Sequence, residues 1–315
     1  MNKRCLYCYQ PLSKDEKDFH PRCSMNFFGT ATPPELDYSL DQMSELAASI
    51  VQRSVSVPGV QPKLSLTLVK DTIAGDKKAR LTIVGALGGN YIFKPPHKDY
   101  PEMPENEHLT MRIAEAFGIP VVLSSLIRLS SGELAYITKR IDRTDDGEKI
   151  HMLDMFQILE AFDKYKSSME KVGKALTMYS DNTLLDLLYF FELTVFSFLF
   201  GNNDMHLKNF SMITKNGSWG LASSYDLLNV AIVNPADTEE LALTLDARKS
   251  KFTWMHFEQF GNKLGLHTRQ INSSFKRFSN NLELAMSWIE KSFLSDEYKQ
   301  KYKALLVGRY KRLDL

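Results

Sequence analysis

The chain has 315 residues, 43% of them hydrophobic and 24% charged, and a formal net charge of +1. That length exceeds one simple core and suits two compact units. With 39 basic residues against 38 acidic ones there is no global field for a polyanion, so general nucleic-acid binding through net charge is excluded and any phosphate must be met locally.

No secretory signal opens the chain, since Met1-Asn2-Lys3-Arg4 leads into cysteines rather than an apolar stretch, and a cytoplasmic location is expected. All three cysteines fall within the first 23 residues, an odd, clustered set that does not make a disulfide framework. Cys5-x-x-Cys8 is followed after eleven residues by His20-x-x-Cys23, a set with the spacing of a structural Zn2+ site. The other reading is a small segment of reduced thiols packed on a core, and Phe19 and Phe27-Phe28 suit either. Residues 1–30 are therefore expected to form a short Cys/His head.

After the Thr32-Pro33-Pro34 break, Asp41 to Gln52 places Met43, Leu46, Ala47 and Ile50 at helical spacing. Strands then dominate to about residue 140. Pro62 to Val69 alternates apolar and polar side chains, and Leu81 to Val84 and Tyr91 to Lys94 look similar, separated by the turn formers Gly85, Gly88, Gly89 and Asn90. One helix interrupts them, Asn106 to Phe117, stopped by Gly118. Val121 to Leu129 and Leu134 to Thr138 are strands around a Ser130-Ser131-Gly132 turn. From Met152 onward helical periodicity prevails. Leu184 to Phe200 is nearly all apolar, but Asp186 and Glu192 inside it would be costly in lipid, so a buried helix and no membrane contact are expected. The predicted fold is α+β and two-lobed: a head at 1–30, a small β-rich lobe at 31–140 and a larger all-α lobe at 141–315.

Phosphoryl transfer asks a protein for a cover over the phosphates, a cation on them, groups that hold magnesium, and a carboxylate that orients the attacking hydroxyl. Candidates for each occur in protein-kinase order. Asp204 and Asn209 have the Asp-x-x-x-x-Asn spacing of a catalytic base and a metal-binding amide, in a polar loop between an apolar helix and the strand-like Phe210 to Ile213. Asp226, 22 positions after Asp204, stands where a second Mg2+ ligand belongs, although Tyr225-Asp226-Leu227 is not Asp-Phe-Gly. Lys94 closes a strand upstream of the helix bearing Glu105 and Glu107, the arrangement in which a carboxylate orients a phosphate-binding lysine. Ser54 to Lys63 lies just before the first strand pair, where a phosphate-covering loop belongs, but holds the single glycine Gly59.

Together these segments resemble the HipA family of toxin Ser/Thr kinases, and most of all HipT, the kinase subunit of the split HipB-HipS-HipT toxin–antitoxin systems. The matching stretches are Ser54 to Leu64, Phe93-Lys94-Pro95, Pro104 to His108, Lys139 to Arg143, Asp163 to Lys166, Gly201 to Phe210 and Tyr225-Asp226-Leu227. The resemblance implies Asp204 as catalytic base, Asn209 and Asp226 as Mg2+ ligands, and Lys94 on the ATP phosphates. It further implies Pro58, Gly59, Val60, Gln61 and Lys63 over the triphosphate, and Lys139, Arg140 and Ile141 near the adenine. His206, Lys208 and Tyr225 would line the nucleotide site. Ser54 and Ser56 match a Ser-x-Ser pair whose autophosphorylation regulates such toxins, where a phosphate would add up to about two negative charges beside a triphosphate.

The same resemblance implies HipS-like and HipB-like antitoxin partners, contact with DNA only through the latter, and a protein substrate. Family members phosphorylate aminoacyl-tRNA synthetases, which makes that class the expected target. The chain is expected to start almost directly at the kinase core, without the N-terminal subdomain of full-length HipA-like toxins, and its cysteine head departs from the family pattern. Two other functions stay open on the residues: a small-molecule kinase of aminoglycoside or sugar type, which Asp-x-His-x-x-Asn also suits, and a nucleotide-binding pseudokinase that docks partners.

Overall fold

The computed structural model describes residues 3–43, 45–46, 63–70, 79–84 and 88–315. Ser54, Ser56, Pro58, Gly59, Val60 and Gln61 therefore lie outside the described residues, as does most of the helix expected at 41–52, of which residues 41–43 and 45–46 are helical. The chain divides into two compact units. One comprises Met1–His108, Val122–Glu148 and Lys291–Phe293, the other Leu109–Val121, Lys149–Glu290 and Leu294–Leu315.

The first unit begins with the head. Helix α1 (Pro21–Phe28) starts with proline in its first turn, where no amide partner is lost, and stops at Gly29, whose φ of 74° suits a residue without Cβ. Five strands follow: β1 (Leu64–Lys70), β2 (Ala79–Ile83), β3 (Tyr91–Lys94), β4 (Ser124–Arg128) and β5 (Leu134–Lys139). They form an antiparallel sheet in the order β2-β1-β3-β5-β4. Helix α2 (Met103–Ala116) comes between β3 and β4, and Gly118, at φ 80°, follows its end as the sequence predicts. Gly132, at φ 108°, turns β4 into β5. The head is packed on this sheet. Phe27 and Phe28 lie 5.7 and 6.1 Å from the ring of Tyr91 on β3, and Asp18 pairs with Arg128 on β4 at 3.0 Å.

The second unit is helix-rich, but not all-helical as expected. Strands β6 (Met152–Asp154), β7 (Ser211–Lys215) and β8 (Ser218–Leu221) make a three-stranded antiparallel sheet. The sequence marks Phe210 to Ile213 as strand-like, at β7, whereas β6 and β8, of three and four residues, are too short to stand out from flanking helical periodicity. The helices are α3 (Met155–Ile158), α4 (Met169–Tyr179), α5 (Thr183–Leu199), α6 (Val230–Val233), α7 (Trp254–Lys263), α8 (Thr268–Asn280), α9 (Leu282–Lys291) and α10 (Asp296–Arg312).

Helix α5 is the unit's axis and is apolar on almost every face, as a helix surrounded by protein must be. Phe190, Phe191 and Phe198 meet Phe210, Phe260, Phe275, Phe252 and Phe257, while Phe196 and Phe200 stack at 4.1 Å beside Phe117. Its two carboxylates are partnered, as burial requires. Asp186 accepts from Ser180 Oγ at 2.6 Å and the Leu221 amide at 2.7 Å, and Glu192 accepts from Ser274 Oγ at 2.7 Å and pairs with Arg277. Among the described residues no helix is long and apolar enough to cross a membrane.

Candidate active-site loop and metal-ligand cluster

Helix α5 delivers the chain into the polar loop that the sequence singles out. Gly201 follows it at φ 67°, and a Cβ there would sit 2.5 Å from Asn229 Oδ1, so only glycine fits without strain. Asn229 caps α6 by accepting from the Ile232 amide, and the Ala231 amide donates to Gly201 O at 3.0 Å. Leu207–Asn209 close a single 3-10 turn before β7. Inside the loop the His206 amide donates to Asp204 O at 2.8 Å and the Asn209 side-chain amide donates to the same carbonyl at 3.0 Å. Asp204 and Asn209 are thus tied to one another by the backbone between them.

A second segment supports this loop. The Leu207 amide donates to Lys164 O at 3.1 Å, and Tyr165 OH donates to Asp204 Oδ1 at 2.8 Å. Lys164 Nζ lies 2.9 Å from His206 Nε2. An ammonium has no lone pair, so Nε2 is the acceptor and the imidazole proton belongs on Nδ1. That Nδ1 is buried without a hydrogen-bond partner. Burial pushes the His206 pKa below its ordinary 6.5, with Lys164 acting in the same direction and the carboxylates of Asp204 and Asp226 opposing. His206 is therefore neutral at pH 7. Burial, then the Asp204 carboxylate, push the Tyr165 hydroxyl up. Neither Lys164 nor Tyr165 was assigned a role from sequence. They lie in a surface loop with no apolar period, and only their place in a family-like stretch marked them.

Asp226 arrives from the other side of the same unit. The Ser224 amide donates to Pro120 O at 2.8 Å and Leu227 is fully buried, which fixes the residues between them. Asp226 takes φ 56°, a left-handed conformation that Asp tolerates better than most residues. The Asn202 side-chain amide reaches its carbonyl at 3.5 Å. Tyr225 OH donates to Lys208 O at 3.0 Å and lies 2.6 Å from Ser211 Oγ, so it pins the loop to β7. Burial holds its phenol above the ordinary range. Lys208 is exposed, with its ammonium 4.8 Å from the centre of the Phe156 ring.

In the strand-rich unit, Lys94 ends β3 opposite Tyr136 and is 97% buried, at 3% relative exposure. Its Nζ lies 2.6 Å from Glu107 Oε1, itself buried, and 5.3 Å from the centre of the Tyr136 ring. Of the two glutamates noted on this helix, Glu107 pairs with the lysine. Burial instead pushes Glu105 up to about 7. Lys139 closes β5 against Tyr91, and Arg140 holds Asp142 through two bonds, with Arg143 on the same carboxylate. Ile141 is half-buried, and Lys63 is exposed just before β1.

The donor atoms of Cys5, Cys8, His20 and Cys23 all lie within 4.8 Å of one another. His20 Nδ1 is 3.4 Å from Cys8 Sγ and 3.7 Å from Cys23 Sγ. Zn–S bonds of about 2.3 Å and Zn–N bonds of about 2.0 Å in a tetrahedron separate donors by about 3.5–3.8 Å, so the spacing fits that metal. The other ring nitrogen of His20 lies 3.0 Å from Pro11 O, which leaves Nδ1 as the lone-pair side.

This arrangement belongs to the kinase-like class of mixed α/β folds, and solved structures share it. The toxin HipA in complex with HipB and operator DNA, from Shewanella oneidensis MR-1, matches with a TM-score of 0.66 and 21% identity over 85% of this chain and 70% of that one. The Helicobacter pylori proinflammatory kinase CtkA matches at 0.53 and 14% over 71% and 87% of the two chains. The chain belongs to the family of the HipA-like C-terminal domain, whose sequence model matches residues 55–286. Two curated relatives carry the description "Putative kinase". The one from Haemophilus influenzae is 29% identical over 85% of this chain and 84% of its own length. The one from Sinorhizobium fredii is 32% identical over 68% of this chain and 53% of its own.

Proposed function

We propose that the protein is an ATP-dependent protein Ser/Thr kinase, the HipT-like toxin of a toxin–antitoxin system. The observation that carries this reading is the joining of Asp204 and Asn209 through one carbonyl, in a loop whose Asn202 side chain reaches the Asp226 carbonyl. Family membership and the kinase descriptions of the relatives support it.

Asp204 keeps one carboxylate oxygen on Tyr165 OH and uses the other to accept the proton of the attacking hydroxyl. Asn209 commits its NH2 to the Asp204 carbonyl, which leaves Oδ1 as an oxygen ligand, and with Asp226 it would hold Mg2+. The metal, when bound, neutralises phosphate charge. Neutral His206 adds no charge of its own to the loop that carries Asp204 and Asn209. Lys94, oriented by Glu107, is the proposed phosphate cation, with Pro58 to Gln61 and Lys63 over the triphosphate and Lys139 to Ile141 at the adenine. His206, Lys208 and Tyr225 line the nucleotide. Ser54 and Ser56 are the proposed autophosphorylation sites, an aminoacyl-tRNA synthetase the proposed substrate class, and HipS-like and HipB-like proteins the proposed partners. The HipB-bound HipA among the solved neighbours of the fold supports the HipB-like partner.

The test is intact-mass analysis of purified protein with ATP and magnesium, beside an Asp204→Ala variant. A phosphate increment on Ser54 or Ser56 in the wild type alone is expected. No increment in either, with no label transferred from radiolabelled ATP to any protein of a host lysate, would refute a protein kinase. Transfer to a small metabolite instead would favour the small-molecule kinase.

A further inference from the structure

We propose that the head binds one structural zinc ion through Cys5 Sγ, Cys8 Sγ, His20 Nδ1 and Cys23 Sγ, and that this ion clasps the head onto the strand-rich unit.

Chain geometry builds the site from two short pieces. In the first, the Tyr9 amide donates to Cys5 O and the Cys5 amide to Gln10 O, both at 2.9 Å, and Tyr9 takes φ 62°. This tight turn folds Cys8 back beside Cys5. In the second, His20 caps α1 and Cys23 sits in its first turn, so the spacing of three puts both donors at the same helix end. The two pieces are bridged by the Leu6 amide on Asp18 O at 2.7 Å and by His20 Nε2, 3.0 Å from Pro11 O, while an isolated antiparallel bridge between Arg4 and Pro11 closes the first piece.

Three features argue for a metal over packed thiols. Every cysteine of the chain is in the cluster, and four soft or borderline donors converge on one point. The set contains no carboxylate or carbonyl donor of the kind calcium or magnesium requires. Among the described residues the head's regular structure is one eight-residue helix and one isolated bridge. A segment that short seldom keeps a fixed conformation without a staple.

The clasp has visible cargo. Tyr9, the residue after Cys8, is buried with its hydroxyl 2.8 Å from His108 Nδ1 and its ring 5.2 Å from that of Phe293. Helix α1, anchored through Cys23, carries Phe27 and Phe28 onto Tyr91. Metal loss would free both pieces at once, withdrawing Phe27 and Phe28 from the sheet and Tyr9 from His108 and Phe293.

The experiment uses the full chain purified without chelator under reducing conditions. Elemental analysis should give one equivalent of zinc per chain. Exchange for cobalt(II) should give the thiolate charge-transfer and d–d absorption of a tetrahedral site. The three thiols should react slowly with a thiol reagent until a strong chelator is added, and then all together, with Tm falling by several degrees. Cys23→Ser should lose the ion. If that variant does not fold, the cobalt spectrum and thiol kinetics of the wild type decide alone. Metal-free wild type that gives no cobalt–thiolate band on reconstitution would overturn the site. So would full zinc content retained by a folded Cys8→Ser/Cys23→Ser protein.

Discussion

Neutralising Glu107 tests how the strand-rich unit tolerates a lysine at 3% exposure. Glu107→Gln keeps the side chain's volume and its capacity to hydrogen-bond but removes the charge that Lys94 faces at 2.6 Å. Breaking a buried ion pair from one side costs about 3–5 kcal/mol, because the surviving charge stays desolvated. Against a total stability of about 5–15 kcal/mol that is a large fraction. Lys94→Met should cost a similar amount by removing the ammonium that Glu107 faces. The double variant, Lys94→Met with Glu107→Gln, buries no charge at this point, so it should be more stable than the sum of the singles by about 1–3 kcal/mol. The Tyr136 ring, 5.3 Å from Nζ, sets the floor, since its contribution of about 0.5–2 kcal/mol is lost with either lysine substitution. Urea unfolding followed by near- and far-UV circular dichroism gives the four free energies. Singles that each cost under about 1 kcal/mol and add without coupling would show that Lys94 is hydrated in solution, and the argument from burial would fail.

Tyr165→Phe removes the hydroxyl on Asp204 Oδ1 at an exposed position, so Tm should hold while autophosphorylation slows about fivefold, the equivalent of ~1 kcal/mol. An unchanged rate would remove Tyr165 from the positioning of Asp204. His206 has its pKa lowered by burial, so the unfolded chain binds its proton first as pH falls below the ordinary 6.5. Its contribution to stability is complete above that value and declines as pH drops through the lowered one. His206→Gln should flatten this part of the acid limb in thermal melts, and an identical limb would refute the assignment. Gly201→Ala places a Cβ 2.5 Å from Asn229 Oδ1 at a positive φ. The conformation alone costs about 1–2 kcal/mol, and a Tm equal to wild type would refute that strain.

The sequence by itself determined the elements whose signal is local. The apolar run ending at Phe200 is a buried helix because nearly every position is apolar, and Gly118 stops its helix because only the backbone there must turn. The proximity of Asp204 to Asn209, and of Cys5 to Cys8 and His20 to Cys23, was equally readable, since one short turn fixes each pair. What the sequence did not contain was the pairing of distant segments. Asp186 meets the Leu221 amide across 35 positions, Tyr165 meets Asp204 across 39, and Tyr9 meets His108 across 99. The choice of Glu107 for Lys94, and of β6 as partner to β7, was likewise made in three dimensions. Periodicity reports which face of an element is apolar, whereas the partner that a buried polar group requires is decided only when the core closes around it.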